Sequence, residues 1–493
     1  MDRRQFCRTT VAAGVAASFP LLSACERSAT KVEAGIAAVS LDGAEIELEK
    51  AAIRELGESM TGPLILSGNP DYDVARTIWN AMHDRRPALI ARCLNSTDVS
   101  NAVTFARERE LLVSVRGGGH SFPGKSVCDG GLMIDLSMLD GVEVDAGNKR
   151  ATAAGGALLG ALDAATLEHG LVTTAGVVSH TGVGGYTLGG GFGRLNRMLG
   201  LTIDNLVSVE LVTADGEIRT VSEEENPDLF WAIRGGGGNF GVATKFEYRL
   251  HSFDRNVLGG GIIWPLDQAA EVLDFYGDWV ETISDELYVG PFMLSLPDGQ
   301  QVFMMDSLYC GDPVQGEKEF AALRKVGKPM MDGLAMNDYM ALQTANDVAF
   351  GHGHRNYARS GMVKSITPEF LTTLHETFPK DPRLVFATHT AGGAVKQVDE
   401  MATAFPHRNI ETMLVGLAAW GDEGEDEGAI ASLKEWWSHL EPFTGGYYEN
   451  LSAGTDSSTV GNYGPAYDRL SGIKAQHDPM NLFRMNSNIR PKA

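Results

Sequence analysis

Apolar residues follow two periods along this chain, and the places where the period changes define its elements. In "NSTDVSNAVTFARERE" they recur at helical spacing behind Asn95, Ser96 and Thr97 as capping candidates, which predicts a helix. The next segment, "LLVSVRGGGH", switches to alternation: Val113 and Val115 bracket a polar residue and the strand runs straight into glycines, which places the loop at a strand end. Residues 130–170 then read as two strand-like runs, a turn at Ala146 to Asn148, a further strand, and a helix from about Leu158. The result is a mixed α+β lobe. Between Arg249 and Trp264 the composition shifts through "HSFDRNVLGGGIIWP". This reads as a linker with a boundary near residue 255, beyond which "QAAEVLDFYGDWVETI" and "AIASLKEWWSHLEPF" predict long helices of a second lobe.

Four stretches are rich in glycine: "VRGGGHSFPG", the run around Gly155, "AGVVSHTGVGGYTLGGGFGRLNRMLGLTIDNL" and "LFWAIRGGGGNFGVATKFEYRL". The chain has 493 residues with 58 glycines against 19 prolines, unevenly clustered, which excludes collagen and disorder and favours close backbone approach to a flat or phosphate-bearing molecule. Gly236, Gly238 and Gly241 satisfy G-x-G-x-x-G, but "VATKFEYRL" alternates as a strand where a dinucleotide fingerprint needs a helix, so a Rossmann reading is rejected. The net charge of -23 disfavours nucleic acid and anionic membrane surfaces as partners and leaves a small molecule as the expected one.

The N-terminus carries Arg3, Arg4 and Arg8 ahead of an apolar stretch from Val11 to Leu22, too short to span a bilayer. Residues 1–24 are read as an export signal resembling the twin-arginine type, which places the mature protein in the periplasm or outside the cell. "LSAC" resembles a lipobox. Two outcomes stand for Cys25: a lipid anchor, or an ordinary signal followed by release. No transmembrane span is expected in the mature chain. Cys93, Cys128 and Cys310 make no metal-ligand pattern and are expected to be buried as small apolar residues. His352 and His354 form H-x-H without a third ligand, so no metal is expected.

Four motifs in order, "VRGGGHSFPG", "SHTGVGGYTLGGGFGRLNRMLGLTIDNL", "DLFWAIRGGGGNFGVATKFEYRL" and "HDPMNLFRMNSNIRP", resemble the berberine-bridge-enzyme-like FAD-linked oxidases of the vanillyl-alcohol-oxidase-type superfamily, from about residue 80 to the C-terminus. The resemblance implies an α+β fold: a two-subdomain FAD-binding lobe over 76–252, a substrate lobe over 256–440 with an antiparallel sheet and covering helices, and a segment over 441–493 returning to the flavin. It implies that His120 bonds FAD through a ring nitrogen. The implied cradle is Arg116, Gly117, Gly118, Gly119 and Ser121 from the first motif; Gly176, His180, Thr181, Gly184, Gly185, Gly189, Gly190 and Gly191 from the second; and Gly241 with Val242 from the third.

Many relatives add a second bond through a cysteine where this chain has Val178, so one covalent bond is expected, and Cys128 belongs to a different strand. Tyr186 stands where many relatives have histidine. The family reaction is hydride transfer from a hydroxylated small molecule, a sugar, alcohol or phenol, to the flavin, with dioxygen as the second partner and hydrogen peroxide as product. Tyr448 and Asn450 look like the family's Y-x-N element, Asn486 and Asn488 like its N-x-N. The strand that often carries a polar base in relatives has Val415 and Leu417 here, which leaves Tyr448 as the expected base and His389 as its alternative. Val183 is expected beside the ring, where residue size governs oxygen access. A dehydrogenase serving a quinone or protein acceptor is the alternative enzyme, and a ligand-binding lipoprotein the alternative outside enzymes.

Overall fold

The computed structural model describes residues 34–296, 298–452 and 456–492; the expected export signal and Cys25 lie outside the described residues. Three sheets organise the chain. The first has four strands in the order Leu64–Leu66, Leu89–Arg92, Leu132–Asp135, Val113–Arg116, the last three mutually parallel. Its edge strand lies upstream of residue 76, so this sheet begins earlier than the sequence reading placed it. The helix Ser96–Glu108 starts at the expected signal, with the Asn95 side chain accepting the Asp98 N–H, and buries Val99, Ala102, Val103 and Ala106.

The second sheet is antiparallel, in the order Ile218–Ser222, Leu206–Val212, Val242–Arg249, Arg150–Ala154, Val142–Asp145. The strand Val242–Arg249 follows the glycine run directly, and only a short 3-10 turn, Gly237–Phe240, precedes it. That order is incompatible with a dinucleotide fingerprint, as the alternating pattern predicted.

The third sheet is antiparallel and has eight strands. Six form the consecutive ladder Asn256–Pro265, Gln301–Tyr309, Leu287–Ser295, Leu384–Thr390, Thr412–Trp420, Arg355–Val363, while Met331–Asp332 and Ala335–Asp338 both pair with the first of these. Helices Ala269–Trp279, Pro368–Thr377 and Asp426–Leu440 cover one face, contributing Leu273, Leu374, Leu433 and Trp436 to its core. The expected linker is largely a strand. Its triple glycine is needed for packing: Gly260 has φ +133, and a Cβ there would meet the Gly333 carbonyl at 2.3 Å.

Past residue 440 the chain returns to the first lobe through helix Tyr467–His477 and an extended tail. Fully buried Lys474 fastens this return, donating to Asp478 and to the Asn239 carbonyl, both at 2.6 Å, while the Ile489 N–H donates to the Asn239 side chain. Cys93 and Cys128 are buried free thiols and Cys310 is partly buried. Among the described residues no helix is long and apolar enough to cross a membrane.

Candidate functional site: a glycine-walled cavity closed by the third sheet

A cavity of about 340 Å³ lies where the three sheets and the C-terminal return meet. One wall is backbone. Gly117, Gly118 and Gly119 line it, followed by His120 and Ser121, and the second motif adds Gly176, Thr181, Gly184 and Gly185. The two motifs touch main chain to main chain: a Cβ on Gly118 would meet Gly182 at 2.5 Å. Gly241 and Val242 line the same wall from the third motif, and Asn486 and Ser487 from the C-terminal tail.

His120 sits at the edge of this wall with its ring stacked on Trp79, centroids 4.1 Å apart. Its Nε2 is buried without a hydrogen-bond partner among the described residues. Burial pushes its pKa down to about 3, so the imidazole is neutral and nucleophilic at ordinary pH. His180 does not line the cavity but packs against His120 at 5.0 Å, both of its ring nitrogens likewise buried and unbonded; His352 follows at 5.1 Å. Trp79 was invisible in the sequence, since it lies outside every glycine motif.

Arg116 and Val183, both expected at the site, are also off the cavity lining. Strand Val113–Arg116 alternates, so Val113 and Val115 face the cavity while Ser114 and Arg116 face away. Arg116 donates instead to the Ala75 carbonyl and lies 4.0 Å from buried Asp135. Cys128 belongs to that same far side, accepting from the Ser114 hydroxyl, whereas Val178 lines the cavity. Val183 is fully buried in the core of the second sheet; it opens a short helix whose turn sends its side chain inward, and its neighbours Gly182 and Gly184 line the cavity in its place.

Gly189, Gly190 and Gly191 do not line the cavity either. They seat the return segment: a Cβ on Gly189 would collide with Asn450, one on Gly190 would press on Phe405 and Tyr448, and the Gly191 N–H donates to the Tyr448 hydroxyl at 3.0 Å. Asn450 donates to the same hydroxyl at 2.8 Å and to the Tyr186 carbonyl at 3.1 Å. Tyr186 lines the cavity and spends its hydroxyl on the Phe192 carbonyl. Burial outweighs the two hydrogen bonds on Tyr448 and pushes its pKa up to about 12. Asn488 does not line the cavity, and its Oδ1 is buried without a hydrogen-bond partner among the described residues.

Two charged lining residues were not anticipated. Lys125 donates to Ser487 at 2.9 Å, and Glu449 accepts from Asn462 at 3.2 Å. Burial lowers the lysine's pKa and raises the glutamate's to about 7, more than their mutual attraction restores. Glu449 sits inside the Y-x-N element at the position that motif leaves open.

The opposite wall is the third sheet, whose strands Leu384–Thr390 and Thr412–Trp420 present alternate residues. Val415 and Leu417 line it as expected, with His389 on the neighbouring strand. His389 Nδ1 lies 3.1 Å from the Tyr288 hydroxyl, and burial pushes its pKa down to about 4.

The residues fit a flavin dinucleotide. A glycine cradle leaves room for a flat ring, and an unpartnered buried imidazole nitrogen stands at its edge. A family model described as "FAD binding domain" matches residues 87–222, and one described as "Berberine and berberine like" matches residues 459–490. An FAD-linked oxidoreductase of Dictyostelium discoideum is 33% identical over 448 residues, covering 89% of this chain and 97% of that protein. (R)-6-hydroxynicotine oxidase of Paenarthrobacter nicotinovorans is 31% identical over 455 residues, covering 88% and 98%. The solved 6-hydroxy-D-nicotine oxidase of Arthrobacter nicotinovorans superposes with a TM-score of 0.81 at 29% identity, covering 88% of this chain and 99% of that one. Physcomitrella patens BBE-like 1 shares the fold at a TM-score of 0.83 and 22% identity, covering 90% and 99%. The fold, the ordered glycine motifs and these relatives together make this chain a member of the berberine-bridge-enzyme-like family, an FAD-dependent oxidoreductase.

Proposed function

We propose that this protein is an exported oxidase that removes a hydride and a proton, two electrons and two protons in all, from a hydroxylated small molecule, using FAD held through one covalent bond to His120. The observation that carries the reading is the buried, unpartnered Nε2 of a neutral His120 at the edge of the glycine wall. When bound, FAD supplies the hydride acceptor and passes its electrons to dioxygen, with release of hydrogen peroxide. Gly117 to Gly119, Gly176, Gly184 and Gly185 would admit the cofactor by backbone approach, and Asn486, which lines the same cavity, would help hold it. Val178 offers no thiol for a second bond. Tyr448 remains protonated at neutral pH, because burial outweighs its two hydrogen bonds; it therefore anchors Asn450 and the return segment and is not the resting base. Export rests on Arg3 and Arg4, and tethering on Cys25.

Acid precipitation tests the attachment. The wild-type pellet is expected to be yellow, and the His120→Ala pellet colourless with any flavin in the supernatant. A colourless wild-type pellet, or colour retained by His120→Ala, refutes the single bond. Oxygen consumption matched by peroxide release during turnover supports the oxidase. Reoxidation no faster than that of free flavin assigns the electrons to another acceptor.

A further inference from the structure

The sheet wall carries information that the family assignment does not. Its side chains stand in cross-strand rows: Phe292, Ala387 and Val415 in one, Val385 and Leu417 in the next, His389 and Met413 in the third. Four residues along a strand and three strands across give a patch of about 13 by 10 Å. This matches one or two fused rings. Six of its seven side chains are apolar, and the seventh is an imidazole. The charged residues that line the cavity, Lys125 and Glu449, belong to the glycine loop and the return segment, not to this sheet.

We propose that the sheet wall selects a flat, largely apolar alcohol of one or two rings, and that His389 accepts the proton of its single hydroxyl group. The proposal rests on the oxidase reading above. The substrate carbinol loses its O–H proton to His389 and its C–H hydride, with both electrons, to FAD; the carbonyl product leaves, and His389 returns the proton to solvent.

Tyr288 sets the imidazole for this. Its hydroxyl lies 3.3 Å from the Thr388 carbonyl and 3.1 Å from His389 Nδ1, and its single proton goes to one of them. Donated to the carbonyl, it leaves the phenol oxygen to accept from Nδ1–H, so Nε2 keeps the lone pair that meets a ligand. Burial holds the tyrosine un-ionised. Phe192 and Met413 add no charge, and the nearby guanidinium of Arg194 is engaged by Asp306 at 3.0 Å, so His389 stays neutral. A sugar would set a hydroxyl opposite nearly every apolar side chain, and each one left without a partner costs roughly tenfold in affinity.

The test uses the purified holoenzyme with three probes: 2-naphthalenemethanol, 2-methylnaphthalene and cellobiose. Binding is read from the flavin absorbance and from the shift in Tm, and chemistry from anaerobic flavin bleaching. Both naphthalenes are expected to bind at least 100-fold more tightly than cellobiose, and only the alcohol to bleach the flavin. Leu417→Gln should weaken both about tenfold at unchanged flavin content. His389→Gln should keep 2-methylnaphthalene binding yet slow bleaching by the alcohol by ~10² to 10⁴. Cellobiose binding or bleaching as well as the naphthalenes overturns the substrate class, as does failure of both naphthalenes to bind. Bleaching slowed less than threefold in His389→Gln overturns its role. Protein that carries no flavin refutes the oxidase reading instead, and the Tm shifts still report on the wall.

Discussion

The two walls of the cavity are built by opposite means. The glycine wall contacts its ligand with main chain, so its shape depends on what is missing: a methyl group on Gly118 would strike Gly182 at 2.5 Å. The sheet wall contacts its ligand with side chains spaced by the strand pleat, and any of them can change size or polarity without moving the backbone. The first wall is fit to hold one cofactor, and the second to be re-cut for different substrates.

Breaking the glycine wall should have the largest effect. Gly118→Ala is expected to abolish flavin loading, read as the loss of yellow colour after purification, whereas Val415→Ala should purify with full flavin content. Equal flavin occupancy in the two would erase the distinction between the walls.

Glu449 sharpens the comparison by titration. Its carboxyl is held up at about 7 in the folded chain against 4.5 when exposed, so folding favours the protonated form. Its contribution is fully present below 4.5 and is lost as pH rises through 7. Glu449→Gln should therefore gain stability over wild type across that window, on the order of 1–3 kcal/mol at neutral pH, in denaturant melts at matched pH. A constant difference from pH 4 to 8 would mean that Lys125 and Asn462 hold the carboxylate charged.

Tyr448→Phe separates anchoring from proton transfer. Losing the acceptor of the Gly191 and Asn450 hydrogen bonds should slow anaerobic flavin reduction about tenfold, with full flavin content retained. A loss of ~10² or more would restore the tyrosine as the base. The smallest effect is expected at Val183, whose side chain belongs to the core of the second sheet: Val183→Ala should change flavin reoxidation by less than about twofold, while costing stability as a cavity does.

The difference between the walls also explains what the sequence disclosed. Glycine runs, the His120 loop, the Y-x-N element and the terminal N-x-N are local signals whose residue types are demanded by backbone geometry, so most of the cavity-lining glycines could be read directly, whereas Gly189 to Gly191 seat the return segment instead. Arg116 and Val183 do not line the cavity because each sits inside a glycine motif but on the other phase of its strand or helix turn. Period-two alternation already turned Arg116 away from Val115. Trp79 and Phe292 carried no signal, because each joins the site only through packing across long stretches of chain; Lys125 directly follows the first glycine motif but is not one of the residue types that motif specifies. The run after Arg249 looked like a linker because its glycines mark a crowded strand crossing.

The buried Lys474–Asp478 clamp has a consequence for the order in which this protein is made. Tyr448, Asn450 and Asn486 reach the glycine wall only after the last fifty or so residues have folded back across more than two hundred others. Such distant pairings form late and slowly. A ribosome still holding the C-terminus would hold a cradle open on one side, so flavin capture must wait for the finished chain.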